Sequence, residues 1–258
     1  MTARHADPEE SWFVRPRANP AARARLFCFP HAGGAASAYY AWGAGLPQVE
    51  VVAVQPPGRE GRMRERPIVE GSELVARLAD ALEPQLDLPA FFFGHSMGAV
   101  MAYEVARELR RRECPLPAHL YVSGRRSPTV ADTEPQLHRL ADDAFVTELD
   151  RRFGGMPAAI REEPELLALF LPILRADVTL LETHEFRDEP PLDLPMSALG
   201  GIDDHQATPE LLGAWQALSA CPLEVRNFRG GHFYLHQHRG DFLAYLRGDL
   251  ERRLAQIA

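Results

Sequence analysis

Six short apolar runs in this 258-residue chain each end in a turn rich in glycine or proline. Arg25 to Phe29 leads into PHAGGAA, Val49 to Val54 into QPPGREGR, and Ala90 to Phe93 into GHSMG. His119 to Ser123 leads into GRRSP, Pro195 to Leu199 into GGIDD, and Leu223 to Phe228 into RGGHF. Unbroken apolar strands of this length are buried on both faces, which points to a parallel sheet covered by helices. Helical spacing follows between them. Ser72 can cap a helix carrying Leu74, Leu78 and Leu82. Met97 to Leu109 is rich in alanine, and Asp241 to Leu254 sets Phe242, Leu246, Leu250 and Leu254 near one stripe. Strand and helix in alternation give an α/β fold class, with a mostly parallel central sheet flanked by helices.

The stretch 129–191 breaks this rhythm. No strand is expected there, Val146, Leu149 and Phe153 recur at helical spacing, and Leu166 to Leu181 is apolar nearly all round, with Pro172 inside it. A helix apolar on every side needs burial on more than one side. It is either a core helix kinked by Pro172 or a helical lid over an apolar substrate channel. Its position between a strand that follows the candidate nucleophile and the strand that bears the candidate acid favours the lid. The division expected is therefore a core of 1–128 and 192–258 with a helical lid insertion at 129–191.

The sharpest chemical signal is Gly94-His95-Ser96-Met97-Gly98, between the strand AFFF and a helix. A G-x-S-x-G at such a junction is the nucleophile elbow of the α/β-hydrolase fold, a turn that thrusts the serine hydroxyl out of the backbone. The alternative is a glycine-rich turn with a capping serine. A free hydroxyl needs a base, and the base needs an orienting acid. In this fold they follow in the order serine, acid, histidine. His232, after Gly230-Gly231 and before the last helix, is the expected base. Asp204 is the preferred acid and its neighbour Asp203 the alternative. The oxyanion donors expected are the backbone N–H groups of Met97 and of Ala32, with Gly33 as the alternate to Ala32. His95 stands one residue from Ser96, where its side chain is expected to diverge.

Composition bounds the partners. The formal net charge is -8, and all 28 basic residues are arginine. An acidic chain argues against nucleic acid. No segment reaches the ~18 uninterrupted apolar residues of a membrane helix, and the polar start Met1 to Ser11 lacks the apolar core of a signal peptide. The expectation is a cytoplasmic monomer with no membrane association. Cys28, Cys114 and Cys221 match neither a zinc spacing nor a disulfide framework.

These motifs together resemble the type II thioesterases that accompany polyketide synthases and nonribosomal peptide synthetases. The matching pieces run nearly the whole chain: FCFPHAGGAASAY, VQPPGRE, GHSMGAVMAYE, SGRRSP, LADDAFVTELDRRFGGMP, LRADVTLLET, LGGIDD and GGHFYL. The resemblance implies a triad of Ser96, Asp204 and His232 and a mobile helical lid. It implies an editing activity that hydrolyses stalled acyl groups from the phosphopantetheine arm of acyl or peptidyl carrier proteins, with no metal or bound organic cofactor. His205 stands where the family commonly has proline, and His184 where it commonly has tyrosine; these departures put the pocket, and no triad member, in question. A general carboxylesterase or acyltransferase with the same triad is the alternative, and a non-enzymatic binding protein on the same scaffold is the remote one.

Overall fold

The structure is a computed structural model that describes residues 12–154 and 161–257. The polar start of the chain and the glycine-methionine-proline end of RFGGMP lie outside the described residues. Seven strands form one sheet: β1 (Phe13–Val14), β2 (Arg25–Phe29), β3 (Glu50–Val54), β4 (Ala90–His95), β5 (His119–Ser123), β6 (Met196–Gly201) and β7 (Glu224–Phe228). Their order is β1-β3-β2-β4-β5-β6-β7. β1 pairs antiparallel with β3 and every other pair is parallel. The six apolar runs all became strands. β1 was not anticipated, because two residues are too few to show an alternation.

The helices are α1 (Trp42–Gly45), α2 (Gly71–Leu82), α3 (Met97–Arg111), α4 (Asp142–Phe153), α5 (Pro164–Thr183), α6 (Pro209–Gly213), α7 (Tyr234–Gln237) and α8 (Arg239–Leu254). Ser72 does not cap α2. Glu70 occupies the cap with no side-chain bond, and Ser72 falls within the first turn. Pro172 lies inside α5 without ending it.

Period-two alternation along β4 explains why both faces are covered. Phe92 joins the cluster beneath α2 and α3, whereas Phe91 and Phe93 join the cluster beneath α1 and α8. All three phenylalanines are fully buried, each side chain contributing roughly 2–3 kcal/mol of transfer free energy. A third, smaller cluster of Leu137, Phe145, Val146 and Val178 lies within the segment between β5 and β6. That segment contains no strand among its described residues. α5 is largely apolar but is not buried all round: Leu166 is 39% exposed and Leu169 61%.

The chain runs from β2 outward to β3, then crosses to β4 on the other side of β2. The carboxyl ends of β2 and β4 therefore flank a switch in strand order, the place where open α/β sheets form binding crevices.

Candidate active site

Ser96 sits between β4 and α3 with φ 55° and ψ -116°. A side chain is disfavoured at such angles, and the conformation persists only where its surroundings enforce it. Enforcement is visible on both flanks. A Cβ on Gly94 would lie 2.1 Å from the Gly98 carbonyl oxygen, and one on Gly98 would lie 2.1 Å from that of Phe29. Glycine alone lets β4, α3 and the end of β2 approach this closely.

His232 follows β7 and Asp204 follows β6. The two strands are paired with Gly201 opposite Phe228, which brings the loops after them together. Asp204 Oδ2 lies 2.8 Å from His232 Nδ1, and both residues are buried. Asp203 is exposed, and its backbone N–H donates to the Gly230 carbonyl at 3.0 Å. The carboxylate on Nδ1 fixes the tautomer and leaves Nε2 for chemistry. Nε2 of His232 has no protein partner among the described residues.

Ser96 and His232 both line a cavity of about 490 Å³. Ala32 and Gly33 also line it, and its apolar wall includes Leu137, Leu149, Phe153, Phe170, Leu174 and Val178. Phe153 lies with its ring 5.0 Å from that of His232. Only one face of α5 contributes, since Leu166 and Leu169 point elsewhere. His184 and His205 do not line this cavity. His205 is exposed, and His184 faces Glu104 at 3.6 Å in a separate, polar depression.

The oxyanion candidates divide. Gly33 N–H donates to Asp177 Oδ2 at 2.7 Å, and Gly34 N–H to the His31 carbonyl at 2.9 Å. The Ala32 N–H has no partner among the described residues, whereas the Gly33 N–H is already engaged. Met97 is the first residue of α3, where a helix leaves N–H groups unsatisfied.

Two further side chains lie close to these residues. His95 does not line the cavity, yet its ring centroid lies 5.0 Å from that of His232. Its Nδ1 meets Ser123 Oγ at 2.9 Å, and Ser123 Oγ meets the Tyr234 hydroxyl at 2.7 Å. Burial holds the His95 imidazole well below its ordinary range, and burial pulls His31 down to about 4. Both are neutral at neutral pH, so neither repels an imidazolium formed at His232. The second is Arg125, whose neighbour Gly124 approaches the His232 ring. Arg125 lines the cavity, and its guanidinium has no hydrogen bond or ion pair among the described residues. Burial, with Arg126 adding to it, pulls Arg125 down to about 10. Arg126, by contrast, pairs with Asp132 at 2.7 Å. Arg110, Arg111 and Arg112 are tied to Glu189, Glu108 and Asp80 at the far end of α3. At about 1.5 Å per residue that end is some 20 Å from Ser96.

A strained serine turn, a buried histidine–carboxylate pair and an apolar cavity at the carboxyl ends of a parallel sheet define an α/β-hydrolase. Residues 24–249 match the thioesterase domain family. The chain belongs to that family and is a thioester hydrolase. Among curated relatives it is 36% identical to the gramicidin S biosynthesis protein GrsT of Aneurinibacillus migulanus over 95% of both chains. It is 38% identical to the thioesterase PikA5 of Streptomyces venezuelae, over 95% of this chain and 90% of that one. Among solved structures, the RedJ thioesterase of the prodiginine pathway of Streptomyces coelicolor is 41% identical with a TM-score of 0.83, covering 91% of this chain and 88% of that one. The type II thioesterase BorB of the borrelidin cluster is 37% identical, also at 0.83, covering 97% and 99%. The family resemblance drawn from the motifs is thus the family found, and the chain falls among the type II thioesterases of polyketide and nonribosomal peptide pathways. No helix among the described residues is long and apolar enough to cross a membrane.

Proposed function

We propose that this protein, a cytoplasmic monomer, clears stalled or wrongly loaded acyl groups from the phosphopantetheine arm of acyl or peptidyl carrier proteins. The observation that carries the mechanism is the 2.8 Å contact of Asp204 with His232 Nδ1, beside the cavity that Ser96 shares with His232. His232 Nε2 takes the Ser96 proton as Oγ attacks the thioester carbonyl carbon. The Ala32 and Met97 N–H groups receive the negative oxygen. Collapse breaks the carbon–sulfur bond, and the His232 proton goes to the departing pantetheine sulfur. Water then loses a proton to His232 and attacks the acyl-enzyme; collapse returns that proton to Ser96 and frees the acid. Every proton in this cycle moves through one imidazole, so the chemistry requires no metal or bound organic cofactor. The segment 129–191 supplies the acyl-facing wall as a lid, and the six residues named above are part of its apolar lining.

The test is mass spectrometry of acyl-loaded carrier proteins incubated with the enzyme and with Ser96→Ala. Release of free thiol carrier by the first and not the second is expected. Faster cleavage of simple oxygen esters than of carrier thioesters would make the protein a general esterase. Transfer of the acyl group to an added amine or alcohol, with little hydrolysis, would make it an acyltransferase.

A further inference from the structure

Asp177 lies on α5, far along the chain from the site, yet is only 2% exposed and makes three short contacts. Its Oδ2 accepts from the Gly33 N–H at 2.7 Å and from Arg59 Nη1 at 2.6 Å, and its Oδ1 accepts from Arg59 Nη2 at 2.7 Å. Arg59 is 4% exposed and Nη1 also donates to the Gly34 carbonyl at 3.0 Å. One carboxylate and one guanidinium thus hold both an N–H and a carbonyl of the turn 31–34.

α5 reaches the same turn a second time. Gly33 has φ +73°, and a Cβ there would stand 2.4 Å from Leu174 Cδ2. Leu174 and Asp177 are three residues apart and share a helix face. Stability alone gives little reason for such a device, because a buried ion pair is often no better than an apolar pair of equal volume. What the pair does supply is direction: charge-assisted, bidentate bonds fix the planes of the peptides they touch. With the 33 and 34 N–H groups engaged, the Ala32 N–H stays without a partner among the described residues, and Ala32 lines the cavity.

We propose that Asp177 is a positioning residue: from α5, and with Arg59, it sets the 31–34 turn so that the Ala32 N–H meets the acyl oxygen as it gains charge. The inference rests on the proposed function, since it needs Ser96 attack and an oxyanion. It also makes α5 more than a pocket wall. A displacement of α5 that breaks the Asp177 contacts lowers the reactivity of Ser96 as well as opening the channel.

The test compares wild type, Asp177→Asn and Ser96→Ala on one acyl-carrier thioester. Asn keeps the size and one acceptor but turns an N–H toward Arg59. The expected result is a fall in kcat of about tenfold or more with KM within twofold, since an intact oxyanion donor supplies roughly 100- to 1,000-fold. Affinity for an acyl trifluoromethyl ketone, which forms the oxyanion, falls in parallel, while affinity for a non-hydrolysable acyl amide does not. Wild-type kcat in folded Asp177→Asn, or a loss confined to KM, overturns the proposal. If Asp177→Asn does not fold, Arg59→Lys reads the same contact, because an ammonium cannot hold both carboxylate oxygens and the Gly34 carbonyl. A lower kcat at constant KM supports the proposal and an unchanged kcat overturns it. Turnover by Ser96→Ala would instead sink the proposed function itself, which separates the two failures.

Discussion

Asp204 and Asp203 are adjacent in sequence but have different surroundings: Asp204 is buried against His232, while Asp203 faces solvent at the surface of the same loop. The Asp204 side chain also receives the Gln206 N–H at 3.0 Å through Oδ1, which leaves Oδ2 directed at the imidazole. Asp204→Asn therefore loses the tautomer control that a carboxylate gives, and a fall in kcat of roughly 10,000-fold is expected. Asp203→Asn changes kcat by no more than about threefold, as surface substitutions generally do. Steady-state hydrolysis of one thioester by both variants checks this, and the reverse ranking would transfer the role to Asp203.

The backbone of Ser96 carries a second expectation. At φ 55° and ψ -116° any L-residue is strained, by about 1–3 kcal/mol, and glycine is not. Both Ser96→Ala and Ser96→Gly are inactive, but only the second relieves the strain. After the entropic cost of glycine, a net gain of about 1 kcal/mol raises Tm by roughly 2–4 °C for a domain of this size. Thermal denaturation of the two inactive variants decides it; equal midpoints would mean that the elbow is not strained.

Arg125 offers a test of pocket chemistry. An arginine facing an apolar cavity without a partner has donors to give to substrate, and its own desolvation is uncompensated. Arg125→Leu is expected to lower kcat/KM about tenfold for thioesters with a keto or hydroxyl oxygen on the chain, the value of one hydrogen bond to a charged group. Saturated chains of equal length should be hydrolysed as before, and Tm should not fall. An equal loss on both substrate types would assign Arg125 a structural role instead.

Stability should depend on pH through the buried histidines. Burial depresses His95 well below the 6.5 of a free imidazole and His119 to about 2. The unfolded chain takes up protons at these sites below pH 6.5 while the folded chain does not. Stability is therefore fully present above that pH and is lost as pH falls toward the folded values. Tm is expected to fall steadily from pH 7 to pH 5, above the range where most carboxylates titrate. The slope should be shallower in His119→Gln. A flat or rising Tm across that window would contradict the assignment.

Much of this was legible in the sequence for identifiable reasons. The strand runs are buried on both faces, so their hydrophobicity is unbroken and marks them without ambiguity. The serine turn is recognisable because steric crowding admits only glycine at Gly94 and Gly98. What escaped was non-local. Nothing in the chain order shows that Asp177 reaches Gly33, or that His95 lies beside His232. His95 was set aside on the spacing of adjacent side chains, but the pairing of β4 with β5 directs its ring to Ser123 and so beneath the site. The bond that engages the Gly33 N–H comes from a residue 144 positions away. Ser72 misled because a good capping residue one position inside a helix looks the same as one at its start.

The segment between β5 and β6 supplies most of the apolar lining, while Ser96, Asp204 and His232 all stand on loops anchored by the sheet. In the proposed function, selectivity and reactivity are thereby written on different lengths of polymer. Substitutions at Leu149 or Phe170 can re-gauge which acyl chains fit without disturbing bond cleavage. The same freedom stops at Asp177, where a change made to suit a new chain would also reach the machinery that breaks the thioester.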